Sequence, residues 1–203
     1  MWTLALETTT SHGSVALLHE DIVIAVAPLE SGQYATSLFT LARRLLDEAR
    51  IELRHIGLFA AAQGPGSFTG VRVGLAAVKG WTEALGAPAA GVSTLRAIAS
   101  ARAGARLAVL DAGRDEVYFG LFPEGEEGLE EWSRFEQRAA AAPPGAAVTP
   151  DPRLQAAAAG HLQLVPPLLA PAVGQLGLAD WRAGLATDAL RLDASYISRR
   201  WGP

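Results

Sequence analysis

The sequence predicts an α/β protein of two related lobes, each a mixed sheet flanked by helices. Three observations carry that prediction. Short apolar runs crowd the first 27 residues, apolar runs then alternate with helix-length amphipathic segments, and a strand–acid–turn–strand pattern recurs about a hundred residues on.

Residues 2–7 alternate weakly between apolar and polar, and residues 14–18 and 22–27 are further apolar runs. The turns between them, residues 8–13 and 19–21, are too short for a parallel crossover, which needs a dozen or more residues. Three antiparallel strands follow from that. A helix over 34–50 comes next. Leu38, Leu41, Ala42, Leu45 and Ala49 form one apolar stripe. Phe39 and Leu46 add a second strip, and a helix apolar on two faces has more than one neighbour.

Residues 56–62 read as a buried strand, followed by a glycine-rich turn, Gly64 to Gly70, and a helix over 71–85. Gly86-Ala87-Pro88 stops that helix, residues 88–92 form a short strand, and Ser93 or Thr94 caps a helix running to about Arg102.

At Arg106 the pattern restarts. Residues 107–111 form a strand ending in Asp111, residues 112–115 a turn, and residues 117–122 a second strand, matching 4–7 and 15–18 of the opening. A repeat of half the chain indicates a duplicated lobe, since solenoid periods run about 20–50 residues. The expected lobes are 1–103, carrying the glycine-rich turn, and a smaller 104–203. In the second, residues 139–145 read as an exposed low-complexity connection, and 153–159 and 168–185 as helical, the latter interrupted at Pro171, Gly174 and Gly177. The tail, with Tyr196 and Trp201, is expected to dock onto the body.

Half of the residues are apolar, enough for a sizeable core. No apolar run approaches the roughly 18 residues of a membrane span, and the N-terminus has no basic leader. With no cysteine in the chain, disulfides and thiolate metal sites are excluded, and the cytoplasm is the default compartment. Seventeen basic against twenty-one acidic residues leave a net charge of −4, which argues against gripping nucleic acid unaided. The basic pairs Arg43-Arg44 and Arg199-Arg200 read as solvated or helix-end features.

Chemistry concentrates in two motifs. Gly64-Pro65-Gly66-Ser67-Phe68-Thr69-Gly70-Val71-Arg72 joins a buried strand to a helix, the setting in which backbone N–H groups bind phosphate. Neither familiar phosphate template fits. A dinucleotide fingerprint needs glycine at Thr69 and an acid about twenty residues on, and a Walker loop ends Gly-Lys-Ser/Thr. The other reading is a tight turn whose glycines serve backbone geometry, with Ser67 or Thr69 capping the helix. The second motif is the pair of acids at strand ends, Glu7 beside Thr8 and Asp111 beside Arg114. Two such units are what an actin- or sugar-kinase-type fold turns toward a nucleotide's phosphates and Mg²⁺. Two ordinary hairpins would look the same. His12, His19, His55 and His161 lack metal-ligand spacing, so no metal site is expected, and no hydrolase elbow is present. In helix 71–85, Gly74, Ala77, Val78 and Trp81 share a face. Together with helix 34–50 this exceeds what one sheet can cover, which predicts a protein–protein interface.

These motifs resemble the bacterial TsaB (YeaZ) family. Its signature is similar to Gly64 through Arg72 with Gly74-Leu75 and Lys79-Gly80. Leu4 to Thr9, Gly91 to Leu95, Asp111 to Tyr118 and Tyr196 to Arg199 also look like family segments. The resemblance covers residues 1–122 and the tail, and residues 123–190 add little. It departs where the family has aspartate and this chain has Glu7, and where a His-Ser-type pair is replaced by Tyr34-Ala35. The resemblance implies an actin-like (ASKHA, RNase H-like) duplicated fold. It implies a role in threonylcarbamoyladenosine synthesis on tRNA, as a non-catalytic partner of a TsaD-type transferase, with a TsaE-type ATPase associated. It further implies a homodimer when alone, tRNA contact only through the complex, no cofactor of its own, and ATP or ADP at the partner interface. The interface would use helices 34–50 and 71–85, with Tyr34, Leu38, Leu41, Leu45, Gly74, Ala77, Val78 and Trp81. Glu7, Thr8, Asp111 and Arg114 would be vestiges of a nucleotide-facing site. The competing reading is an ATP-dependent small-molecule kinase or ATPase on the same fold.

Overall fold

Every apolar run of the opening forms a strand: β1 (Trp2–Glu7), β2 (Ser14–His19) and β3 (Ile22–Pro28), antiparallel in turn. The structure, a computed structural model, describes residues 1–30, 32–185 and 192–197. At the end of the tail, Ser198, the pair Arg199-Arg200 and Trp201 lie outside the described residues.

Helix α1 (Tyr34–Glu48) leads through a short 3-10 turn (Leu53–His55) to β4 (Ile56–Ala62), helix α2 (Phe68–Leu85), β5 (Ala89–Val92) and helix α3 (Thr94–Ser100). The sheet order is β3-β2-β1-β4-β5, with β4 parallel to both β1 and β5. The glycine turn therefore leaves the sheet beside the β1–β2 turn, because β1 and β4 are parallel neighbours.

The second sheet repeats this plan. Strands β6 (Leu107–Gly113), β7 (Glu116–Leu121) and β8 (Glu126–Glu131) are antiparallel. Helix α4 (Trp132–Ala141), β9 (Ala147–Thr149), helix α5 (Pro152–Ala157), β10 (Gln163–Leu164) and helix α6 (Ala170–Arg182) follow. Read from β8, the order is β8-β7-β6-β9-β10, with β9 parallel to β6 and to β10. Three strands, helix, strand, helix, strand, helix thus occur twice, in one topology. The duplication legible in the acid-ending strands extends to the whole lobe.

The division between lobes differs from 1–103 and 104–203. One unit comprises Met1–Thr94 with Leu168–Ser195, and the other Leu95–Pro167 with Tyr196 and Ile197 of the described tail. The cause is α6, which packs against β1, β2, β4 and β5. Its glycines make this contact. A Cβ on Gly174 would press on Leu18 and Ala5, and one on Gly177 on Ala60 and Ala90. Glycines expected to interrupt a helix instead let its backbone approach the sheet.

Leu4, Leu6, Val15, Leu17, Phe59 and Ala61 point to the opposite face, where α1 and α2 cover them. The second unit has its own core, in which Phe135 and Ala139 of α4 meet Leu107, Val109, Val117 and Phe119. Ala139 to Ala141 finish α4, and the largely exposed connection begins only at Ala142. Among the described residues, no helix is long and apolar enough to cross a membrane.

Candidate functional site

β1 ends at Glu7, and the chain turns back through three threonines. Glu7 is wholly buried, and its carboxyl group closes that turn. Oε1 accepts the backbone N–H of Thr9 at 2.5 Å and of Thr10 at 2.9 Å, and the Thr9 hydroxyl at 2.7 Å. Oε2 accepts the Thr10 hydroxyl at 2.8 Å. Burial pushes the Glu7 carboxyl above the usual carboxylate range, with the four hydrogen bonds opposing it. From the far side, the Tyr34 hydroxyl donates to the Thr10 carbonyl at 2.6 Å and receives the Gly13 N–H at 3.2 Å.

The glycine turn packs directly beneath. The Thr8 hydroxyl donates to the Gly70 carbonyl at 2.7 Å, and the Ser67 N–H to the Thr9 carbonyl at 2.7 Å. The Thr9 and Thr94 hydroxyls lie 2.9 Å apart. A Cβ at Gly66 would strike the Thr9 carbonyl oxygen, one at Gly70 the Thr8 carbonyl oxygen, and one at Gly74 the Thr8 hydroxyl. Gly64, at φ +108°, lies against the Ser195 carbonyl, and the Ser195 N–H donates to Gln63. Of the two hydroxyls expected to cap α2, Ser67 does so, accepting the Gly70 N–H at 3.2 Å. Gly64 and Pro65 are buried, while Ser67, Phe68 and Thr69 are exposed, with the Arg72 guanidinium over the Phe68 ring at 3.6 Å. The turn is thus a buttress for the first hairpin, its Ser67 and Gly70 N–H groups spent within the protein.

The structure brings Glu7, Thr8 and the signature glycines into one cluster. The site residues drawn from the sequence left out Thr9 and Thr10, whose bonds to Glu7 are local, and Gln63, Thr94 and Ser195, whose partners lie far along the chain. In the second unit, Asp111 accepts the Gly113 N–H at 2.7 Å, with the Arg153 guanidinium 3.6 Å away. Arg114 is exposed on the adjoining turn, at φ +57°.

The interface expectation needs correction. Leu38, Leu45 and Val78 are 0–2% exposed, and Gly74 and Ala77 are also buried. The helical stripe that nominated them faces the lobe's own sheet, so they are core. Leu41, Tyr34 and Trp81 are half-buried, and the Tyr34 hydroxyl belongs to the hairpin network. What α1 and α2 offer outward is a groove of about 530 Å³, floored by Phe39, Ala42, Leu46 and Trp81 and rimmed by Arg43, Asp47, Glu52 and Arg54. Phe39 is 53% exposed and meets Trp81 edge to face at 5.5 Å, while Trp81 rests on Phe59. Ion pairs Arg43–Asp47 and Arg54–Glu52 hold the rim.

A duplicated lobe of this topology, with strand–acid–turn units at matching places, defines an actin-like, RNase H-like protein. A Clostridium difficile activator of 2-hydroxyisocaproyl-CoA dehydratase shares that fold, with a TM-score of 0.53 at 10% identity over 91% of this chain and 97% of that one. The family model for TsaD, tRNA N6-adenosine threonylcarbamoyltransferase, matches residues 26–178. The structure of YeaZ from Pseudomonas aeruginosa superposes with a TM-score of 0.77 at 28% identity, covering 97% of this chain and 99% of that one. The Escherichia coli tRNA threonylcarbamoyladenosine biosynthesis protein TsaB is 34% identical over 131 residues, 62% of this chain and 57% of that protein. The chain belongs to the threonylcarbamoyltransferase family and, within it, to the TsaB (YeaZ) group. The aligned stretches span little more than half the length of the curated relatives.

Proposed function

We propose that this chain is a non-catalytic subunit in threonylcarbamoyladenosine synthesis on tRNA, docking a TsaD-type transferase on the outer surface of α1 and α2. The observation that carries this reading is the groove itself. It has an exposed aromatic floor, Phe39 on Trp81, inside a charged rim, the arrangement of a protein-binding patch. The names of the relatives support the pathway. The use of Glu7 to hold its own turn supports a scaffold in place of a nucleotide-driven enzyme. In this reading the same surface forms a homodimer when the transferase is absent, and a TsaE-type ATPase joins the complex. ATP or ADP enters at the partner interface and is no cofactor of this chain. tRNA is reached through the complex, in keeping with a net charge of −4, and the work takes place in the cytoplasm.

Depleting the protein and quantifying tRNA nucleosides by mass spectrometry tests the pathway. The expected result is loss of threonylcarbamoyladenosine with other modifications unchanged, and an unchanged level overturns the reading. ATP turnover by the purified chain, abolished by substitution at Glu7 or Asp111, would overturn the scaffold role in favour of a kinase or ATPase.

A further inference from the structure

We infer that the turn after β1 is a small-oxyanion cradle whose occupant is built into the chain: the Glu7 carboxyl group sits where an anion from solution would be held. Two successive backbone N–H groups, Thr9 and Thr10, and their two hydroxyls converge on one carboxyl at 2.5–2.9 Å. Convergent N–H and O–H donors of this kind make an anion nest, and carboxylate, formate and phosphate oxygens meet the same geometric demand. Here all four donors serve Glu7, which is fully buried, as is nearly all of Thr8, Thr9 and Thr10. The surroundings hold the arrangement in place. Tyr34 ties the Thr10 carbonyl and Gly13 N–H together, the Thr94 hydroxyl donates to the Thr9 hydroxyl oxygen, whose own proton is on Glu7, and the Gly66 and Gly70 backbones lie against Thr9 and Thr8. The donors remain pointed inward whether or not the carboxyl is present. The wild-type turn therefore excludes phosphate, and removing the side chain opens a site for a small carboxylate or phosphate.

The test is an NMR titration of the full chain, wild type and Glu7→Ala, with formate and with inorganic phosphate. In the wild type, the Thr9 and Thr10 amide signals should follow the pH titration of the Glu7 side-chain carbonyl carbon and stay unmoved by either anion. In Glu7→Ala, formate should shift the same two amides saturably. At ten times its dissociation constant, formate should also shift the unfolding equilibrium about tenfold toward the folded state, with no such shift in the wild type. Saturable movement of the wild-type amides by phosphate overturns the inference, as does a folded Glu7→Ala protein that answers neither anion. Should the variant not fold, wild-type amides that fail to track the Glu7 titration overturn it.

Discussion

Alanine at Gly70 and alanine at Gly80 are the same chemical change in the same helix, yet opposite outcomes are expected. Helix propensity favours alanine over glycine by about 0.8–1 kcal/mol in a helix interior. Gly80 is exposed, and an added Cβ there meets no heavy atom within 4 Å. Gly80→Ala should collect that gain whole, raising Tm by about 2–4 °C in a chain of this size. At Gly70 the Cβ would overlap the Thr8 carbonyl oxygen and lie 2.9 Å from its carbon. The obstacle is backbone, pinned by β1's pairing with β2 and β4 and by the Glu7 turn, so it cannot swing away. Overpacking costs about 1–3 kcal/mol. Separating the helix from β1 also strains the Thr8–Gly70 hydrogen bond, worth about 0.5–1.5 kcal/mol. Set against the propensity gain, the net loss is about 0.5–3.7 kcal/mol, a fall in Tm on the order of 1–15 °C. Calorimetry and urea midpoints on the two variants read this directly. If Gly70→Ala is as stable as Gly80→Ala, the close contact between the glycine turn and the first hairpin is refuted.

Three further outcomes follow from the same geometry. Phe39→Asp should leave the unfolding midpoint within a degree or two while weakening transferase binding or self-association by thirtyfold or more, about 2 kcal/mol, as read by light scattering and pull-down. Leu45→Ala should instead lower stability by about 2–5 kcal/mol, because Leu45 is core; a midpoint unchanged in urea would return it to the surface. The Glu7 carboxyl binds its proton more tightly in the folded protein than in the unfolded chain, so its contribution is full at pH below the ordinary glutamate range and declines as pH rises through the folded value. Wild type should lose stability relative to Glu7→Gln over that rise, and parallel pH profiles would show that burial does not govern Glu7.

The first lobe was legible because each of its signals is local. Weak alternation marked β1, short apolar runs marked β2 and β3, the stripe from Leu38 to Ala49 marked α1, and the run Ile56 to Ala62 became β4 without a residue's change. The helix after the glycine turn starts earlier than expected, at Phe68, since Ser67 caps it. The second half resisted for a physical reason. Strand β8 reads Glu-Glu-Gly-Leu-Glu-Glu, a sequence without apolar alternation, and exists because it pairs with β7 at a sheet edge. Its Glu130 is buried only because Arg138 and Arg134 from α4 neutralise it. The periodicity of α1 and α2 correctly gave their apolar faces but carried no information on which partner covers them. That is why Leu38, Leu45 and Val78 were assigned to an interface when they belong to the core. Likewise, the signature glycines and Thr8 were conspicuous, but nothing in the sequence paired Thr9 with Thr94, since a hydroxyl's partner eighty-five residues away leaves no local trace.

The late position of α6 shapes how the chain leaves the ribosome. The first sheet and its α1–α2 cover are complete in sequence by Thr94, but the helix for its other face ends at Arg182, 88 residues later (182 − 94). At about 5–20 residues per second, that interval lasts about 4–18 s. Throughout it, Ala5, Leu18, Ala60 and Ala90 await their cover, and the uncharged strand Ile22–Pro28 stands at the sheet's edge. Slow synthesis across residues 95–182 lengthens that interval, and fast synthesis shortens it.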